Sequence, residues 1–161
     1  MDKSLQKVLT AIMLVGGVYA WYTVISDIRL FIEYFGTIFT WGGKVMPHPV
    51  QTPCLYGAFG FVVGLVWLVM IRNKVGESLA RQAKWFLGFL IAGNLYAWGN
   101  FSWLAYRFFS APPGHRVSCS GLPTDNIFTT PCFVGSSIFL TGLVAGILWF
   151  VLVRKGLPRD N

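Results

Sequence analysis

Two segments of this chain read almost alike: TPCLYGAFGFVVGLV at residues 52–66 and TPCFVGSSIFLTGLV at residues 130–144. Each opens with the punctuation of a helix start. Thr is a good N-cap, Pro is favoured at the first helical position, and Cys then takes the second. The chain then stays apolar as far as Ile71 in the first copy and Val153 in the second. About 20 such residues cross a bilayer core. The likeness extends upstream: at an offset of 78 residues (130 − 52), positions 29–66 match 107–144 without a gap, with 12 identities in 38. Arg29 falls on Arg107, Gly36 on Gly114, Gly43 on Gly121 and Phe61 on Phe139. At an offset of 77, Gly16 falls on Gly93 and Tyr19-Ala20-Trp21 on Tyr96-Ala97-Trp98.

Apolar runs match one another easily, but a repeated Thr-Pro-Cys-x-x-Gly does not arise that way. The expected fold is an all-α membrane protein of four transmembrane helices, built as a tandem duplication of a two-helix hairpin. Residues 1–78 form the first hairpin and 79–161 the second. The expected spans are Val8–Ile25 (extending toward Phe35), Leu55–Ile71, Trp85–Phe109 and Phe133–Val153. Helices are expected because backbone polar groups in lipid must be paired within the segment. Both hairpins would enter and leave on one side, so the repeats are parallel, related by a pseudo-two-fold axis along the membrane normal. Small residues at four-residue spacing (Gly16 and Ala20, Gly60 and Gly64, Gly93 and Ala97, Gly142 and Gly146) allow close helix approach in a four-helix bundle.

Composition agrees. Hydrophobic residues make up 55% and charged residues 12%, against roughly 25% charged in a soluble domain. The net charge of +7 is a topology signal. Lys3, Lys7, Arg72, Lys74, Arg81, Lys84, Arg154, Lys155 and Arg159 flank one set of helix ends, leaving Arg29, Lys44, Arg107 and Arg116 at the other. The positive-inside rule puts both termini in the cytoplasm. No basic stripe interleaves with exposed aromatics, so nucleic acid is not an expected partner. The bilayer is, along with other membrane proteins or a second copy of the chain, in a bacterial inner (plasma) membrane. The run ending Val18-Tyr19-Ala20 imitates a signal peptide, but apolar character continues past Ala20, and an uncleaved first span is expected.

Chemistry concentrates in three cysteines, Cys54, Cys119 and Cys132, all on the extracytoplasmic side of this topology. A thiol at a helix start has its anion stabilised by unpaired N–H groups and the helix dipole, which makes Cys54 and Cys132 the candidate reactive residues. All three are disulfide candidates. Cys119–Cys132 would close a short loop, Cys54–Cys132 would staple the hairpins, and unpaired thiols or a redox-active pair remain open. His48, His115 and Met46 gather on the same face, but their spacing matches no metal motif, so neither a metal nor another cofactor is expected. Asn94, Asn100, Arg29 and Arg107 are the polar candidates within or at the edge of the spans, with Asp27 and Glu33 as partners for the arginines.

These features are compatible with three function classes. The expected one is an accessory or assembly subunit with a disulfide-stabilised extracytoplasmic face, since the chain has no nucleotide loop, paired catalytic carboxylates or nucleophile with an adjacent base. The second is a membrane thiol–disulfide oxidoreductase. Four helices carrying extracytoplasmic Cys54, Cys119 and Cys132 resemble the vitamin K epoxide reductase family and the bacterial quinone-linked disulfide-generating membrane proteins, a resemblance that implies redox-active cysteines. Those families carry Cys-x-x-Cys, whereas Cys54-Leu55-Tyr56-Gly57 and Cys132-Phe133-Val134-Gly135 lack the second cysteine. The third is a small transporter or channel using Asn94 and Asn100.

Overall fold

The computed structural model describes residues 4–40, 47–112 and 114–156. Among these are four long helices, α1 (Ser4–Phe35), α2 (Pro53–Ile71), α3 (Gly76–Ser110) and α4 (Pro131–Lys155). Gly43, Lys44, Met46 and the terminal charges Lys3 and Arg159 lie outside the described residues. Three helices, α1, α2 and α4, are long and apolar enough to cross a membrane. The fourth, α3, is the longest at 35 residues. It has no charged residue from Trp85 to Tyr106, but Asn94, Asn100 and several Trp and Tyr lower its hydropathy.

α1 runs on to Phe35, the extension the sequence allows, and α3 starts well before its expected span. α1 continues past Ile25 through Asp27 and Glu33 because its buried stripe continues: Leu9, Met13, Gly16, Ala20, Thr23, Asp27 and Phe31 all face the bundle. Their three- and four-residue spacing is that of one helix face. α3 starts at Gly76, well before Trp85, since Glu77, Ala80, Arg81 and Gln82 are good helix formers. At about 1.5 Å per residue, α1 and α3 run roughly 48 and 52 Å, against a hydrocarbon core of about 30 Å. Each therefore projects beyond one.

Neighbouring helices run antiparallel. Gln6 at the start of α1 donates to the carbonyl of Leu68 at the end of α2 (3.3 Å). Trp67 near the end of α2 donates to Gln82 near the start of α3 (3.1 Å). α1 packs on α2 and α4, α3 packs on α4 and α2, and α2 meets α4 across the middle. Gly16 and Gly93 allow two close approaches to phenylalanine rings. A Cβ on Gly16 would stand 2.6 Å from Phe61 Cζ, and one on Gly93 would stand 2.6 Å from Phe139 Cζ. The two rings then meet edge to face, 5.1 Å between centroids.

Local structure also recurs at the 78-residue offset. A 3-10 turn at Pro49–Gln51 leads into α2 and another at Ile127–Thr129 leads into α4. His48 accepts from the N–H of Val50, and Asn126 accepts from the N–H of Phe128. Thr52 and Thr130 stand at the N-cap positions, with Pro next, as the sequence implies. Their hydroxyls do not cap the helices, however. They turn back and donate to Pro49 O (2.7 Å) and Ile127 O (2.6 Å), tying each 3-10 turn to its helix.

Candidate functional site

Each helix start delivers one thiol. Cys54 is the second residue of α2 and Cys132 the second of α4, and the meeting of α2 and α4 brings the two sulfurs to 3.8 Å. Cys119 arrives on a loop. Residues 116–124 fold into a small hairpin: Thr124 donates to Arg116 O (3.1 Å), Ser118 to Leu122 O (2.8 Å), and Gly121 closes a turn on Ser118 O (3.0 Å). Gly121 has φ +78°, a conformation that glycine adopts without a Cβ penalty. Cys119 and Ser120 occupy the tip. Cys119 stands at disulfide distance from Cys132, with Cα atoms 6.6 Å apart. Cys54 is the free cysteine, 3.7 Å from the Cys119 sulfur. All three sulfurs lie within 4.8 Å of one another.

Ser120 carries the second insertion. Its side chain lies beside the carboxyl of Asp27, and both residues are buried, at 5% and 7% exposure. Asp27 lies close enough to Cys54 to act on it electrostatically, and its Oδ2 has no hydrogen-bond partner among the described residues. Asp27, available in the sequence as a partner for Arg29 or Arg107, is turned inward instead. Asp27 is on the buried stripe of α1, whereas Arg29 two residues on is exposed, as are Glu33 and Arg107. The spacing Thr23, Asp27, Phe31 within that stripe is the sequence signal that Asp27 faces inward.

Beside the sulfurs lies a cavity of about 110 Å³ among the four helices. Its walls come in corresponding pairs: Tyr19 and Tyr96, Ala20 and Ala97, Cys54 and Cys132, Gly57 and Gly135, Phe61 and Phe139. Phe61 and Phe139 each sit seven residues along from a cysteine, about 10 Å deeper by helical rise. Glycines at positions 57, 60, 93 and 135 keep side chains out of the space.

The remaining candidates play other parts. Asn94 is buried and donates to Leu90 O (3.0 Å) and, across to α4, to Phe139 O (3.1 Å). Asn100 lines the cavity and donates to Tyr96 O (2.8 Å). His48 holds its own loop: its Nε2 is 2.9 Å from Ile38 O, and its ring packs on Phe31 at 5.0 Å. Because Nδ1 accepts from Val50 (3.2 Å), Nε2 carries the proton and donates. His115 is exposed on the far loop. Neither histidine joins the sulfur cluster.

Comparison with protein-family models, with curated proteins and with solved structures finds no match to this chain.

Proposed function

We propose that this chain is a membrane-embedded thiol–disulfide exchange protein acting on protein or peptide thiols at the extracytoplasmic surface. The observation that carries the reading is the position of the Cys54 thiol, 3.7 and 3.8 Å from the two sulfurs of the Cys119–Cys132 pair. A cysteine placed only to staple two elements needs no third thiol in touch with both partners. Here Cys119, on a hairpin tip, can be passed between two helix starts. The Cys54 thiolate attacks Cys119 Sγ, the Cys54–Cys119 bond forms, and Cys132 leaves as a thiolate at the start of α4. The step balances, with one S–S bond made, one broken and no net oxidation. Nucleophile and leaving group both sit at helix starts, with Cys54 also buried beside the Asp27 carboxyl. An incoming partner disulfide is attacked by whichever of the three sulfurs is free, and an incoming partner thiolate attacks a sulfur of the bonded pair and displaces the other as a thiolate.

The setting belongs to the same proposal. We read all four helices as spans, with both termini cytoplasmic in a bacterial inner membrane, and the chain as a duplicated hairpin with parallel repeats. The uncharged stretch Trp85–Tyr106 supports α3 as a span. The basic residues Lys7, Arg72, Lys74, Arg81, Lys84, Arg154 and Lys155 lie at or near the helix ends remote from the cysteines, which supports the orientation. The matched 3-10 turns, threonine hydroxyl bonds and Gly–Phe contacts support the duplication.

Alkylation of membranes with a mass-tagged reagent, followed by peptide mapping, tests the exchange. In an exchanging protein the tag is shared between Cys54 and Cys132, in proportions set by the relative stability of the two pairings. A tag confined to Cys54 in every buffer would make Cys119–Cys132 a fixed staple, and the accessory-subunit reading would replace this one.

A further inference from the structure

We propose that the reduced cluster of Cys54, Cys119 and Cys132 is a zinc site, in which three thiolates from α2, the 116–124 hairpin and α4 hold one Zn(II) beside the buried Asp27 carboxyl. The proposal uses the same sulfurs as the exchange reaction but does not depend on exchange taking place.

The sulfur spacing suits a zinc thiolate site. Zn–S bonds of about 2.3 Å in a tetrahedral site separate the sulfurs by roughly 3.8 Å, whereas a trigonal arrangement with bonds of that length needs roughly 4.0 Å. Cys54 is 3.7 and 3.8 Å from the other two sulfurs. Only the Cys119–Cys132 separation must open, and Cys119 rides on a hairpin tip rather than on a helix. Charge points the same way. Three thiolates and a carboxylate beside a monovalent ion leave a net charge of −3 in a semi-buried site, and a divalent ion reduces it to −2. Asp27 adds an independent observation: it is 7% exposed and its Oδ2 lacks a hydrogen-bond partner among the described residues. It does not belong to the group of ligand atoms within 4.8 Å, so it stands as a nearby outer carboxylate rather than a ligand. Cys119 and Cys132 can bond to each other or to the metal but not to both, so metal binding and the disulfide exclude one another.

The test uses the full chain in detergent, fully reduced, with Co(II) as the spectroscopic probe. One Co(II) per chain is expected, with thiolate-to-metal charge-transfer absorption and the d–d bands of a tetrahedral site, displaced by Zn(II) and absent from the oxidised protein. Cys54→Ser is expected to weaken binding at least about tenfold and reduce the charge-transfer band. Asp27→Asn, which keeps all three sulfurs, is expected to weaken binding by about 10–100-fold with the band intensity retained. Cys119→Ser, on the hairpin tip rather than on a helix, serves as a second ligand variant if Cys54→Ser does not fold. The inference is overturned if protein with three alkylatable thiols binds neither Co(II) nor Zn(II). It is equally overturned if the cysteine variants bind as well as the parent, or if Cu(I) binds and Zn(II) cannot. Thiol exchange measured in chelator distinguishes the two proposals, since exchange without metal binding removes only this one. Metal binding without exchange removes only the other.

Discussion

Alanine at Gly93 and alanine at Gly99 should move stability in opposite directions, although both positions lie on α3 only six residues apart (99 − 93). A Cβ at Gly93 would stand 2.6 Å from Phe139 Cζ, about 1 Å inside the usual carbon–carbon contact of roughly 3.5–4.0 Å. Phe139 cannot easily retreat, because its ring already packs on Phe61 (5.1 Å) and Phe89 (6.2 Å). Overpacking of this kind costs about 1–3 kcal/mol. Alanine regains up to about 1 kcal/mol over glycine in a helix, so the net loss should be about 0.5–2 kcal/mol. Gly99 has nothing within 4 Å of such a Cβ, and Gly99→Ala should gain up to about 1 kcal/mol. Reversible unfolding in mixed micelles titrated with SDS, followed by tryptophan fluorescence, measures both. Phe139→Leu combined with Gly93→Ala should show a favourable coupling of about 0.5–3 kcal/mol. Gly16→Ala, facing Phe61, should behave like Gly93→Ala. If Gly93→Ala is no less stable than Gly99→Ala, or shows no coupling to position 139, the close approach of α3 to Phe139 is wrong.

Cys119→Ser should leave Cys54 and Cys132, 3.8 Å apart, to form a disulfide between α2 and α4 under oxidising conditions, and peptide mapping without reduction would identify it. Recovery of both residues as free thiols would argue against that approach. Thr130→Val removes the hydroxyl bond to Ile127 O and should cost about 0.5–1.5 kcal/mol in the same unfolding assay, with Thr52→Val similar. Asn94→Leu removes the bond from α3 to Phe139 O. It should cost about 0.6–1.7 kcal/mol, the range for polar contacts between helices in membranes, and leave the alkylation pattern of the cysteines unchanged.

The helix starts at Pro53 and Pro131 are legible in the sequence because they rest on local chemistry: a Pro that fixes its own φ and gives up an N–H the helix does not need. Helix lengths are less so. Hydropathy marks where lipid-compatible residues end, while Glu77–Lys84 continue α3 at little cost once it has been nucleated. The threonine side chains are ambiguous in sequence, since Ser and Thr hydroxyls serve N-caps and backward turn bonds alike, and only the 3-10 turns at Pro49–Gln51 and Ile127–Thr129 select the second. The sequence puts Cys54, Cys119 and Cys132 on one side and offers their pairings, but not that all three sulfurs meet. Cys54 is 65 residues from Cys119 and 78 from Cys132, and their meeting depends on how α2 crosses α4 and on a turn at Gly121. Asp27 is recoverable in principle. Its four-residue spacing from Thr23 and Phe31 puts it on the face that also holds Leu9, Met13 and Ala20, and a charge on that face requires an inward partner.

Three is an odd number, and sulfurs bond in pairs. However the disulfide is placed among Cys54, Cys119 and Cys132, one thiol is left over, so no monomer of this chain can be oxidised to completion by internal bonding. The leftover thiol is never far from the bond it did not enter, and a third sulfur in touch with both members of a pair lets the pairing be rewritten without outside reductant. A two-cysteine version of the same bundle would have one closed state and one open state. This bundle has three closed states of equal covalent count, and which of them dominates is a property of packing rather than of oxidant supply.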